Sequence, residues 1–301
     1  MGTEHNDARR YRIVHRTGYR YDAEVTASFA RAFLIPRSTP HQQVLDHQLE
    51  ISPSPDLCEV HTDFFGNHSH YIEVHTPHTE FEVRKSATLA VEWPSVCLAE
   101  LKVTVEQAGL LVNDDPALDS VQRASYLLPS PMIELGVPVI RFATGILRPQ
   151  MPVGEAISTV YQTIYRDFSY TQGATTVTTT LPEMIAARAG VCQDFAHLAV
   201  ACFRSAGLPA RYVSGYLETY PVPGQQKLAG SDASHAWASV YLPQHGWIDL
   251  DPTNDQLADS RYLVTAWGRD FGDVSPLKGV IFSESRESVL DVAVDVIRLD
   301  D

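Results

Sequence analysis

An α+β fold is predicted, because the chain changes texture twice. Up to about residue 92, apolar and polar residues alternate and β-branched and aromatic residues are enriched; from about 98 to 168 the pattern favours helices; beyond that, one amphipathic helix is followed by strands. Two parts follow: an antiparallel, sandwich-like β-domain over residues 1–92, and residues 93–301 as a helical segment plus an α+β core, with Trp93-Pro94 at the change.

In the first part the expected strands are YRIVHRTGYRYD, SFARAFLIPR, QVLDHQLEISP, HSHYIEVHTP and TEFEVRKSATLAVEW, separated by Pro, Asn, Gly and Asp. Asp63, Gly66 and Asn67 read as turn chemistry. ELKVTVEQAGLLV, SVQRASYLL and GEAISTVYQTIYRDF are the expected helices, with Pro-containing breaks at LPSPM and RPQMP, and SVLDVAVDVIRL near the end alternates like a strand.

The helix of greatest interest follows Gly190. Apolar residues recur at Phe195, Leu198, Ala199, Cys202, Phe203 and Ala206, and Gly207 and Pro209 stop it. Cys192 falls in its first turn, where unpaired backbone N–H groups and the helix dipole favour a thiolate. Cys202 lies on the apolar stripe and reads as core; Cys58 and Cys97 have no comparable setting. Asp194 is placed to cap or charge its own helix.

A nucleophilic thiol needs a base. His197 is nearest in sequence, but five residues along a helix turns it well away from Cys192. The stronger candidate is in SHAWASVYLPQHGWIDLDPTN, where His235, Trp237, Ser239 and Tyr241 share one strand face. LPQHG reads as a turn, and Trp247, Asp249 and Asp251 share a face of the returning strand. If Tyr241 pairs with Trp247, His235 lies diagonal to Asp251, within about 7–8 Å by backbone; a slip of two residues would set them opposite. Cys192, His235 and Asp251 then form a nucleophile, a base and an orienting carboxylate. Asp249, on the same face, is the rival for the third role.

These blocks, GVCQDFAHLAVACFRSAGLPARYVSGYL and SHAWASVYLPQHGWIDLDPTN, resemble the core of the transglutaminase-like superfamily: a cysteine opening a helix, a histidine opening a strand, and an aspartate followed by Pro-Thr. FARAFLIPRSTPHQQ and DFFGNHSHYIEV resemble the N-terminal β-domain of its bacterial group, and GRDFGDVSPLKGV that group's tail. The resemblance implies a papain-like core, with the cysteine helix packed on an antiparallel sheet bearing His and Asp, and thiol acyl chemistry on amides. It leaves three readings open: a peptidase or amidase, a true transglutaminase passing the acyl group to an amine, and a catalytically silent scaffold on the same fold. The absence of an aromatic run flanking Cys192 favours hydrolysis. The expected partner is a peptide or protein amide substrate. For the oxyanion, the Cys192 backbone N–H is one donor, and Tyr170 or Gln172 in DFSYTQG could supply the other; Trp237 is expected to wall the site or pack beneath it.

Composition excludes other classes. Lys+Arg of 23 against Asp+Glu of 37 gives a net charge of −14, which opposes binding to nucleic acid or to anionic membranes. The polar start MGTEHNDARR has no apolar run after it and no stretch is long and apolar enough to span a bilayer, so cytoplasmic residence is expected. No cofactor or metal is expected: the four cysteines lack CxxC spacing, no acidic loop like D-x-D-x-D-G is present, and among His68, His70, Glu73 and His75 the last two fall on the other strand parity. Arg269 and Asp270 are expected to pair and hold the tail. PVPGQQKLAGSDAS, polar and rich in Gly and Pro, reads as a mobile loop over the cleft.

Overall fold

The computed structural model describes residues 8–219 and 234–299, so the loop expected before His235 lies almost wholly outside the described residues. Two antiparallel sheets and a helical layer make the fold.

The first sheet is built on one long strand. YRIVHRTGYRYD and SFARAFLIPR, expected as separate strands, run together as β1 (Arg9–Ala32). No turn interrupts them; the ladder only shifts register between Arg20 and Val25, where the strand passes from one set of partners to another. After it come β2 (Gln42–Ser52), β3 (Leu57–Thr62), β4 (His68–Val74) and β5 (His78–Val91), giving the order β2-β5-β1-β4-β3.

Helices follow. α1 (Val105–Leu111) is closed by a Thr104–Gln107 capping box, and Asp119 caps α2 (Ser120–Leu127). α3 (Val137–Ile146) was not foreseen, because VPVIRFATGI is rich in β-branched residues. Pro138 suits its first turn, and Val139 and Ala143 give it an apolar face in the main core shared with the cysteine-bearing helix. α4 (Val153–Asp167) runs between Pro152 and the short strand β6 (Ser169–Tyr170). α5 (Leu181–Ala187) and β7 (Ala189–Gly190) then lead into α6 (Cys192–Ser205). None of the described helices is long and apolar enough to cross a membrane.

The second sheet comprises β8 (Ala210–Leu217), β9 (Ser234–Leu242), β10 (Gly246–Asp251), β11 (Gln256–Leu257) and β12 (Tyr262–Gly268), in the order β11-β10-β9-β8-β12. A short α7 (Phe271–Val274) precedes β13 (Leu277–Ser283) and β14 (Ser288–Leu299). Both of these last strands pair with β1: β14 along its first half and β13 along its second. The sheet begun by the first 92 residues is therefore completed by residues 277–299, which the change of texture at Trp93-Pro94 groups with the second part. Alternation in a tail shows that it is a strand, but not which sheet receives it.

The two faces of the second sheet do different work. Ala238 and Val240 join the α6 core. Trp237, Tyr262, Val213 and Val264 instead pack with Tyr11, Ile13, Leu89, Val91, Val294 and Val296 of the first sheet. Burying that many apolar side chains, at about 25 cal/mol per Å2, ties the β-domain firmly beneath the residues that carry His235 and Asp251.

Candidate active site

The site begins where the chain enters α6. Tyr170 of β6 pairs in parallel with Gly190 of β7, so the segment before Cys192 is held by backbone hydrogen bonds. A Cβ on Gly190 would lie 2.8 Å from an Asp194 carboxylate oxygen, so the position has room only for glycine. Asp194 accepts from the Val191 N–H at 2.8 Å and from the Thr175 hydroxyl at 2.6 Å, which makes it the cap of its own helix. Cys192 is then the first helical residue, half-buried, with its backbone N–H among the first-turn donors that have no intrahelical acceptor.

The hairpin has the register that the turn predicted: Trp247 pairs with Tyr241 and Asp249 with Ser239. His235 and Asp251 are thereby diagonal, and the imidazole Nε2 lies 2.7 Å from Asp251 Oδ2. A carboxylate only accepts, so Nε2 carries the proton and Nδ1 is left to face the thiol. The Cys192 sulfur is close enough to this imidazole to favour its charged form.

Asp251 is completely buried, and five hydrogen bonds converge on it. Oδ2 accepts from His235 Nε2, from Asn254 Nδ2 at 2.7 Å and from the Tyr262 hydroxyl at 2.7 Å, while Oδ1 accepts from the backbone N–H groups of Thr253 at 2.8 Å and Asn254 at 3.3 Å. Burial alone would push this carboxyl up; the His235 charge and the donors outweigh it and hold it below its ordinary value. For His235 burial opposes the charged form, but the Asp251 carboxylate and the Cys192 sulfur raise its pKa to about 10. The arrangement favours an imidazolium clamped between the Asp251 carboxylate and the Cys192 sulfur.

The remaining candidates are distributed around this pair. Trp237 is fully buried, its ring stacked near His235 with centroids 6.1 Å apart, and its N–H donates to Asp249 at 2.8 Å. It lies beneath the histidine and has no donor left for an oxyanion. Asp249 has its other oxygen occupied by the Ser239 hydroxyl, so the rival carboxylate serves Trp237 and Ser239 rather than His235. Tyr170 is exposed and edge-on to Phe195, with centroids 6.3 Å apart. The part of its ring that is covered and the nearby Cys192 raise its hydroxyl pKa, which keeps it an O–H donor, while Gln172 is exposed. His197 accepts from the Phe271 N–H at 3.1 Å and packs on Tyr212; burial pulls its pKa down to about 4, the state of a structural histidine.

Tyr262 and Asn254 are partners of Asp251 that the sequence does not announce as such. Asn254 stands in the DPTN turn and could have been suspected. Tyr262 comes from β12, and nothing local announces its reach to Asp251. One expected pair is also corrected: Arg269 bonds Asp273 at 2.9 Å, not Asp270, which caps α7 and accepts from the Met132 N–H. The i,i+4 spacing across a helical turn suits the longer Arg side chain better than its immediate neighbour. Among the described residues, no three His, Cys, Asp or Glu side chains converge as metal ligands.

Comparison with known proteins agrees with this architecture. Residues 11–90 match the bacterial transglutaminase-like N-terminal region, and residues 140–252, which contain Cys192, His235 and Asp251, match the transglutaminase-like superfamily. An uncharacterized protein of Mycobacterium tuberculosis is 42% identical over 303 residues, covering 96% of this chain and 92% of that protein. One from Mycobacterium leprae is 32% identical, covering 96% and 99% respectively. In structure, the chain is similar to a candidate cysteine protease from Cytophaga hutchinsonii, with a TM-score of 0.72 at 22% identity, covering 98% of this chain and 92% of that one. A shorter match, 38% identical over 68 residues, is to a protein-glutamine gamma-glutamyltransferase of Pseudomonas aeruginosa, covering 22% of this chain and 10% of that protein. With both of its regions matched in order and relatives aligned over nearly their whole length, this chain belongs to the transglutaminase-like superfamily.

Proposed function

We propose that this chain is a cysteine-nucleophile enzyme that opens amide or peptide bonds through a thioester, with Cys192, His235 and Asp251 as its triad. The observation that carries this reading is the 2.7 Å contact between His235 Nε2 and Asp251, made on a ring whose other nitrogen is left for a helix-opening thiol. With its proton passed to His235 Nδ1, the Cys192 sulfur attacks the substrate carbonyl carbon. The carbonyl electron pair moves to oxygen, where the Cys192 N–H and the Tyr170 hydroxyl are the candidate donors. Collapse of that intermediate expels the amine, which leaves with the proton from His235 Nδ1. Water, deprotonated by the same nitrogen, then releases the acid and frees the thiol. Asp251 keeps the proton on Nε2 throughout, so the imidazole always presents Nδ1 to the reacting atoms.

Hydrolysis is preferred over transfer because the segment beside Tyr170, TQGATTVTTT, is polar and mostly exposed, which leaves water access to the thioester. Transfer to an amine is the second reading, favoured by the local similarity to a gamma-glutamyltransferase. Incubating the protein with glutamine- and asparagine-containing peptides, with and without a primary amine, separates the two by product mass. Acids or fragments formed regardless of amine support hydrolysis, and amine adducts support transfer. No Cys192-dependent product from any peptide would overturn the proposal.

A further inference from the structure

A second site lies on the His235-bearing face of the second sheet, at its other end. β8 sets Arg211 opposite Ser239 of β9, two pleats from His235 and therefore about 13 Å from it along the strand. Arg211 is only 6% exposed, and its guanidinium carbon stands 4.1 Å from the ring centre of Trp247 and 3.7 Å from that of Trp267. Arg37 stacks on Trp267 as well, at 3.3 Å, and its Nη1 donates to the Phe65 carbonyl and to Asn67, though its Nε is also buried without a partner. Arg211 donates to neither: among the described residues it makes no hydrogen bond and no ion pair, and its Nε is buried without an acceptor. Asp249 is near enough to favour the positive charge, yet its oxygens are held by Trp237 and Ser239.

A guanidinium sandwiched between indoles gives its faces to the rings and keeps its edge N–H groups for an acceptor in its own plane. A buried cation whose donors go unused is costly, so the feature calls for a partner. Arg211 lines a cavity of about 360 Å3 together with Trp247, Trp267, Asp249, His41 and His245. The cavity opens between the β1–β2 connection and the β9–β10 turn, where His245 is exposed. That volume suits a group of roughly amino-acid size, with aromatic walls for an apolar portion. A planar carboxylate matches the guanidinium fork through two parallel hydrogen bonds. The adjacent Asp249 selects against a phosphate dianion, which carries more charge into the same space.

We propose that Arg211 and its two flanking tryptophans form a binding site for a carboxylate borne on a small apolar or aromatic group, separate from the thiol site. It holds whether or not Cys192 is a nucleophile. The test uses the full chain and follows Trp fluorescence and thermal shift with N-acetyl-L-phenylalanine, its amide, and inorganic phosphate. The acid should perturb the fluorescence and raise Tm, and the amide should not. A peptide ending in phenylalanine, with free or amidated C-terminus, shows whether a chain end fits as well as a free acid. Arg211→Met should weaken acid binding about 10- to 100-fold, while its own Tm stays level or rises because an unpartnered buried charge has gone. Equal responses to acid and amide, tighter binding of phosphate than of the acid, or unchanged acid binding by Arg211→Met would each overturn the proposal. Should Arg211→Met fail to fold, the acid-against-amide comparison on the unaltered chain decides.

Discussion

Asp251→Asn puts the greatest strain on the proposed mechanism, because every hydrogen bond at Asp251 requires an acceptor. Both oxygens receive donors, three at Oδ2 and two at Oδ1. An amide replaces one oxygen with an NH2 group, so either orientation sets donors against donors. Facing His235, the NH2 can be accommodated only if Nε2 gives up its proton. The neutral ring would then carry its proton on Nδ1, where it can no longer accept one from the thiol. The rate should fall about 10²–10⁴-fold, the range known for triads with the wrong tautomer. Stability should fall too, by about 2–4 kcal/mol for the buried donors left without acceptors, which lowers Tm by roughly 3–6 °C for a chain of this length. Near-equal side-chain size preserves the packing, but the five converging donors do not fit an amide. Steady-state kinetics on one accepted amide substrate, with calorimetry on the same samples, measures both quantities. Asp249→Asn is the control, because its bonds to Trp237 and Ser239 predict lost stability with a much smaller rate effect. A rate within tenfold of the unaltered enzyme for Asp251→Asn, or an equal rate loss for Asp249→Asn, would refute the reasoning.

Three further outcomes are expected. Iodoacetamide at about pH 6, where ordinary thiols with pKa about 8.5 are protonated, should label Cys192 well ahead of the exposed Cys58 and Cys97 and leave the buried Cys202 untouched; peptide mapping against time checks this. Because the His235 pKa is raised from 6.5 to about 10, its contribution to stability is complete below pH 6.5, declines as pH rises and is gone above about 10. The Tm gap between the unaltered protein and His235→Gln should close over that window, and activity should fall as pH passes about 10. Gly215→Ala should cost about 3 kcal/mol or more, since its Cβ would lie 2.1 Å from the Leu263 carbonyl oxygen and 2.7 Å from the Trp237 ring; chemical denaturation measures it.

The hairpin was the most legible part of the site. Alternation fixed the faces, LPQHG fixed the turn, and together they fixed the diagonal of His235 and Asp251. The support of that pair was not legible, since Tyr262 arrives from a strand not adjacent to β10 and Trp237 is locked by Asp249 through a sheet contact. In the β-domain, strand character was read correctly over most segments, but β1 was divided at a place with no turn. The partnership of β13 and β14 with β1 joins residues more than two hundred positions apart, and periodicity carries no information about partners at that distance. α3 was missed because burial against α6 overrides the weak helix propensity of its Val and Ile residues. The Arg211 site had no sequence signal: its two tryptophans and its arginine come from three strands.

The central claim is that Cys192 forms a thioester with an amide substrate. Intact-protein mass spectrometry after rapid quenching in acid tests it directly, using a peptide first shown to be turned over. The account predicts an adduct on Cys192 equal to the substrate mass less the departing amine, removed by hydroxylamine and absent from Cys192→Ala. Turnover that persists in Cys192→Ala, or an adduct carried by another residue, would contradict it.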